Sequence, residues 1–241
     1  MKAIILAGGE GTRLRPLTYT TPKPLIDVQD KTLTEHVFDI LKNYGVTEAI
    51  LSVSYMADKI KNYFEDGFKF GMKLSYLIEE RPMGTAGPLI LLKKMGCLLN
   101  EDFMVVNGDN LFSLDLAKFF DQHKKNQAVA TIALTVVSDV TNFGIARLEN
   151  GRILEFIEKP SKDKAPGNLA NSGYYVFSPE IFEFLPEKNF VMLEKDIFPV
   201  LAKENKLFGY PDNSQWFDTG TPQRYEQVKK EWRGIYKSYE K

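Results

Sequence analysis

The chain has 241 residues, enough to bury a sizeable core in one large α/β domain or two small ones. Hydrophobic residues make up 44% and charged residues 26%, as in an ordinary globular protein, and a net charge of −1 leaves no global positive field to draw in nucleic acid or anionic lipid. A single cysteine, Cys97, excludes an internal disulfide and a cysteine zinc cluster, and two histidines far apart, His36 and His123, offer little for a histidine metal site.

The N-terminal apolar stretch, Ala3 to Ala7, is too short for a signal peptide and runs straight into Gly8-Gly9. The longest later apolar run, Pro88 to Leu92, falls far below the roughly 20 residues of a membrane span. A soluble, cytoplasmic protein is expected, and the lone cysteine suits a reducing compartment.

In chain order, Ala3 to Ala7 has the form of a buried parallel strand stopped by glycines. Leu33, Val37, Ile40, Leu41 and Tyr44 follow helical spacing, opened by a Thr32–Glu35 capping box and closed at Gly45. Ala49 to Tyr55 is strand-like, Ala57 to Glu65 helical, Lys73 to Ile78 a strand, Ala86 to Met95 a helix and Asp102 to Asn107 another strand. A helix carrying Leu116, Phe119, Phe120 and His123 follows. These β–α repeats predict a Rossmann-like α/β fold, with a mixed, mostly parallel sheet and helices on both faces.

From about residue 128 the pattern turns β-rich. Val129 to Val137 is a strand, and Phe143 to Leu148 and Ile153 to Ile157 flank the hairpin signal Asn150-Gly151. Ser172 to Phe177 is a strand and Met192 to Lys203 a helix, while Leu207 to Tyr210 and Gln215 to Phe217 bracket a turn. A charged helix runs from Pro222. With no linker or repeat in sight, a single domain of 1–241 is expected. In it, about 1–127 forms the α/β half, and about 128–241 extends the same sheet and covers the cleft as a substrate subdomain.

In parallel sheets ligands bind beyond the carboxyl ends of the strands, which singles out Gly8 to Arg13 and Gly108-Asp109. In Leu6-Ala7-Gly8-Gly9-Glu10-Gly11-Thr12-Arg13-Leu14, three glycines let backbone approach a ligand closely. Free N–H groups there can surround phosphate oxygens, and Arg13 and Lys23 add the positive charge a triphosphate needs. The loop is neither a P-loop nor a dinucleotide fingerprint. Asp109 follows a strand and Asp218 lies near the end of another; taken alone each reads first as a turn or N-cap residue, and otherwise as a hard oxygen ligand for Mg²⁺. Glu158-Lys159-Pro160 ends a strand as a polar pair. His36 and Cys97 are expected to pack, and Phe182, Phe184 and Phe190 to belong to the core.

These segments, with Pro22 to Leu25, Gly84 to Leu89, Asn107-Gly108-Asp109, Asn171-Ser172-Gly173 and Trp216 to Gly220, give a chain that resembles the sugar-1-phosphate nucleotidyltransferases (NDP-sugar pyrophosphorylases). The resemblance covers nearly the whole length, and Gly84 to Leu89 is most similar to the mannose-1-phosphate guanylyltransferase branch. It implies transfer of a nucleoside monophosphate from an NTP, GTP by preference, to a sugar 1-phosphate of the manno series, with release of pyrophosphate. A glucose-1-phosphate thymidylyl- or uridylyltransferase, a heptose-1-phosphate guanylyltransferase and a non-catalytic NDP-sugar sensor are the alternatives.

The resemblance assigns Leu6, Ala7, Gly8, Gly9, Gly11, Thr12, Arg13, Lys23, Glu79, Gly84 and Thr85 to the nucleotide. It gives Gly144, Glu158, Lys159 and Asn171 to the sugar phosphate and Asp109 and Asp218 to Mg²⁺. Arg13, Lys23, Asp109, Lys159 and Asp218 are its catalytic set. It makes about 1–127 a nucleotide-binding half and about 128–241 a sugar-phosphate-binding half. Small-molecule substrates and a homodimer are expected as partners. Neither nucleic acid nor membrane is expected, and nor is the C-terminal β-helix that many relatives carry.

Overall fold

The computed structural model of the chain describes residues 1–235, so the end of the expected charged tail lies outside the described residues. Strand β1 (Lys2–Leu6) leads through three 3-10 turns to a small hairpin, β2 (Asp27–Val28) and β3 (Lys31–Thr32), and then helix α1 (Leu33–Asn43). Next come β4 (Glu48–Val53), α2 (Ala57–Phe64), β5 (Lys73–Ile78), α3 (Gly87–Lys94), β6 (Phe103–Asn107) and β7 (Asn110–Phe112). Helix α4 (Leu116–Asn126), β8 (Ala130–Val136), β9 (Gly144–Glu149), β10 (Arg152–Glu158) and β11 (Leu169–Phe177) follow. The chain then runs through α5 (Phe198–Lys203), β12 (Leu207–Pro211), β13 (Trp216–Asp218) and α6 (Pro222–Glu231).

Local chemistry accounts for the boundaries. The Glu35 amide donates to Thr32 Oγ1 at 3.3 Å and the Thr32 amide to Glu35 Oε2 at 2.7 Å, the reciprocal cap that starts α1. Asn150 and Gly151 both take positive φ, 49° and 80°, the turn that matches the twist of a two-residue hairpin between β9 and β10.

Nine strands form one sheet in the order β5-β4-β1-β6-β11-β8-β12-β10-β9. From β5 to β6 every pairing is parallel. Beyond β6 the pairings are antiparallel, apart from β12 beside β8, so the α/β sheet is mixed. It runs unbroken through both halves of the sequence. Alternate strand residues face opposite ways. Ala3 and Ile5 join the core under α1, α2, α4 and α6, while Ile4 joins the core under α3 and α5.

The structure departs from the sequence reading in four places. Strand β13 does not return beside β12; it leaves the main sheet and pairs with β7. Its Trp216 Nε1 donates to Ser172 O at 2.9 Å, so a side chain anchors it away from the turn that precedes it. The segment Met192 to Lys203 opens with a π-turn at Leu193–Ile197 before α5, where Pro199 has no amide to continue the earlier ladder. Cys97 is exposed, not packed, because Gly96 turns the chain outward past the end of α3. Phe190 is 56% exposed, while Phe182 is buried as expected.

His36 does pack. Trp232 Nε1 donates to its Nδ1 at 3.2 Å, which leaves Nε2 to donate to Val28 O at 2.8 Å. Among the described residues no helix is long and apolar enough to cross a membrane.

Candidate active site

The ends of β1 and β6 lie side by side, and the loops that follow them touch. The Gly108 amide donates to Leu6 O at 2.9 Å, and a Cβ on Gly108 would stand 2.9 Å from that same oxygen. Only glycine permits this approach. Gly11 takes φ 63°, with a would-be Cβ 2.9 Å from Thr18 Cγ2, and Thr18 Oγ1 donates to Gly11 O at 2.9 Å.

These loops floor a cavity of about 340 Å³. Of the residues assigned to the nucleotide, Leu6, Ala7, Gly8, Gly9, Lys23, Glu79, Gly84 and Thr85 line it, and Asp109 joins them. Lys23 is buried and its ammonium pairs directly with the Asp109 carboxylate. Gly11, Thr12 and Arg13 lie beside the cavity and do not line it.

Glu79 is held from behind. Its Oε1 accepts Ser52 Oγ at 2.7 Å and its Oε2 accepts the Met83 amide at 3.1 Å. Each oxygen keeps a further lone pair for a ligand.

Asp218 and Asp109 come together through β13 and β7, where Asp218 stands opposite Asn110. Thr219 Oγ1 donates to Asp109 O at 2.8 Å and locks the two turns. Asp218 Oδ1 accepts the Gly220 amide at 2.7 Å, and a Cβ at Gly220 would lie 3.2 Å from Arg13 Nη2. Arg13, Lys23, Asp109 and Asp218 thus cluster. Two carboxylates fit a hard cation that draws its other ligands from phosphates and water. Among the described residues no group of three or more His, Cys, Asp or Glu gathers here or elsewhere in an arrangement that could hold a metal ion.

The residues assigned to the sugar phosphate form a second group, outside the cavity lining. Glu158 pairs with Gly144 across the β9–β10 ladder, and a Cβ on Gly144 would stand 2.9 Å from Glu158 Oε2. Lys159 takes φ 49° and its ammonium reaches Glu158 at 3.4 Å. Asn171 lies at an irregularity in the β11–β8 pairing. Its Nδ2 donates to the Tyr175 hydroxyl at 2.9 Å and its Oδ1 accepts the Gly173 amide at 2.9 Å, the partners that a part-buried Asn needs.

A segment missed in the sequence joins the two groups. The Val191 amide donates to Met83 O at 2.9 Å and the Ala86 amide to Val191 O at 3.0 Å. A Cβ on Gly84, which takes φ 79°, would stand 2.3 Å from Val191 O. Phe190 and Met192 therefore line the cavity beside Glu79 and Gly84. Glu194 is buried and accepts Thr85 Oγ1. Burial holds its carboxyl above the usual range, against the pull of the Thr85 hydroxyl, with Glu158 and Lys159 among the charges it feels. Burial likewise pushes the Tyr175 phenol well up, and the carboxylates of Glu194, Glu158 and Asp109 act in the same direction. Met192 carries no charge and its neighbours follow no motif, so only the Glu in a helix-like segment could have signalled this.

The nucleotidyl transferase family profile matches residues 2–233. The chain is 39% identical over 228 residues to a mannose-1-phosphate guanyltransferase beta-B of Xenopus laevis, covering 93% of this chain and 62% of that one. It is 34% identical over 242 residues to a UTP–glucose-1-phosphate uridylyltransferase of Synechocystis sp., covering 95% and 62%. The chain thus spans less than two thirds of these relatives. Among solved structures, HddC from Yersinia pseudotuberculosis complexed with GMP-PN superposes with a TM-score of 0.79 at 28% identity, over 95% of this chain and 98% of that one.

Proposed function

Because the chain belongs to the nucleotidyl transferase family, we propose that it transfers a nucleoside monophosphate from GTP to mannose 1-phosphate or a related manno-sugar, forming an NDP-sugar and releasing pyrophosphate. The observation that carries this reading is the convergence of the glycine loop, Lys23 and Asp109 on one cavity, with the turn after Asp218 fastened to Asp109 through Thr219. The name of the Xenopus relative supports GTP and mannose 1-phosphate, and Glu79 at the cavity wall supports guanine. The Synechocystis relative keeps UTP with glucose 1-phosphate as the alternative.

In this mechanism an oxygen of the sugar 1-phosphate attacks the α-phosphorus in line. The new P–O bond forms as the bond to the β-phosphoryl oxygen breaks, and pyrophosphate leaves. The attacking phosphate is already ionised, so no general base is required. The loop amides from Gly8 to Gly11 and the Lys23 ammonium neutralise the triphosphate. Lys159 and Glu158 hold the sugar phosphate and its hydroxyls, and the division of the cleft follows the two halves of the chain. Asp109 and Asp218 would hold Mg²⁺, which supplies charge neutralisation at the phosphates when bound. The same proposal has the protein act in the cytoplasm.

The deciding experiment is pyrophosphate release with Mg²⁺ across GTP, UTP and dTTP, each with mannose and glucose 1-phosphates. Release that requires both a nucleotide and a sugar 1-phosphate is expected, fastest with GTP. Tight NDP-sugar binding with no release in any pair would establish a sensor instead.

A further inference from the structure

Each carboxylate assigned to the metal already carries a cation of this chain. Asp109 has Lys23. Asp218 has Arg224, whose Nη1 donates to Oδ2 at 2.5 Å. This guanidinium is not a loose surface charge. Arg224 stands in the first turn of α6, with its own amide donated to Thr221 Oγ1 at 3.3 Å. Its guanidinium carbon lies 4.8 Å over the Phe143 ring, and Phe143 packs edge-on to Trp216 at 5.3 Å. The Arg224 and Asp218 side chains are only 27% and 14% exposed. A cation built into place opposes a dication that seeks the same oxygen, and partial burial weakens solvent screening of that opposition.

We propose that Arg224 is a resident counter-ion of Asp218 that competes with the divalent metal, so that the metal is held tightly only together with the nucleotide's phosphates. The inference rests on the reading of Asp109 and Asp218 as the metal carboxylates. A guanidinium that merely aims Asp218 at the metal predicts the opposite sign, since its removal would weaken metal binding.

The test is Mn²⁺ binding, followed by calorimetric titration and by electron paramagnetic resonance, to the substrate-free protein. Arg224→Gln should bind Mn²⁺ about five- to tenfold more tightly than wild type, the size of one like-charge repulsion lifted at a partly screened site. Arg224→Met, which keeps an apolar stem against Phe143, should do the same if the Gln variant fails to fold. Unchanged or weaker Mn²⁺ binding in the folded variant overturns the proposal. Adding Asp218→Asn to Arg224→Gln must abolish the gain; a gain that survives means that the ion is not at Asp218, and the metal reading falls with it. If Asp218→Asn weakens Mn²⁺ binding to the wild type while Arg224→Gln changes nothing, only the role of Arg224 is lost.

Discussion

The Thr85 hydroxyl donates to Glu194 Oε2 at 2.6 Å and in the same place accepts the Leu193 amide at 2.8 Å, so one side chain fastens the Gly84-Thr85 loop to a segment more than a hundred residues away. Thr85→Val keeps the shape and removes both bonds. It leaves a buried carboxylate without its donor, and should cost about 1–3 kcal/mol in urea unfolding, largely restored by Thr85→Ser. The loss should depend on pH. Burial raises the folded-state Glu194 carboxyl above its unfolded value and the Thr85 hydroxyl pulls it back down. The folded protein therefore binds more protons above the ordinary Glu range, and stability falls as pH rises through that window. Without the hydroxyl the fall steepens. A Thr85→Val protein as stable as wild type at every pH refutes the fastening.

Asp109→Asn and Asp218→Asn should each lower turnover on the order of a hundredfold with the fold retained, since a neutral amide of the same size replaces a charged oxygen ligand. Steady-state rates at limiting Mg²⁺, beside circular dichroism, make the measurement. Near-normal rates in both variants remove the metal assignment.

Lys23 lines the cavity and Lys159 stands outside it, beside Glu158. Lys23→Ala should raise KM for the nucleotide about tenfold, and Lys159→Ala KM for the sugar 1-phosphate by a similar factor, as for a lost charged hydrogen bond. A rise in nucleotide KM alone on changing Lys159 contradicts the division of the cleft.

Guanine presents two adjacent donors, and a carboxylate can accept both. Glu79 has spare lone pairs after its bonds from Ser52 and Met83. Glu79→Gln should erode the preference for GTP over UTP and dTTP by about 1–3 kcal/mol in kcat/KM ratios. Unchanged ratios mean that Glu79 serves only to brace the loop through Met83.

His123 is buried with Nδ1 2.8 Å from Thr131 Oγ1, and burial lowers its pKa from 6.5 to about 4. The unfolded chain then binds more protons between these values, so its contribution is intact above pH 6.5 and is lost as pH falls toward 4. The loss amounts to roughly 3 kcal/mol at most. Urea unfolding at pH 7.5 and pH 5 should show it, and His123→Gln should flatten the difference. An equal slope in the variant clears His123 of the effect.

The parallel half was legible because its signals are local: a capping box, glycines after apolar runs, and period-3.6 helices recur at short range. Asp109 and Lys23 were legible as motif members, yet their pairing was not, because it joins residues that only the fold brings together. Phe190 was misread for the same reason. Its aromatic side chain predicts burial, but the bonds from Val191 to Met83 and Ala86 turn that segment over the cavity. Arg224 is not singled out in the sequence, where it falls within the charged helix that runs from Pro222. Its partner Asp218 lies on a strand whose register is set by β7, a pairing with no sequence signature.

The pairing of β13 with β7 also orders events during translation. A chain growing from its N-terminus has every strand of the parallel half, and the glycine loop, once residue 107 has been made. Asp218 can meet Asn110 and its neighbour Asp109 only after the ribosome has passed residue 218. A product that stops short of residue 218 lacks a complete β13, and with it the pairing that sets Asp218 opposite Asn110.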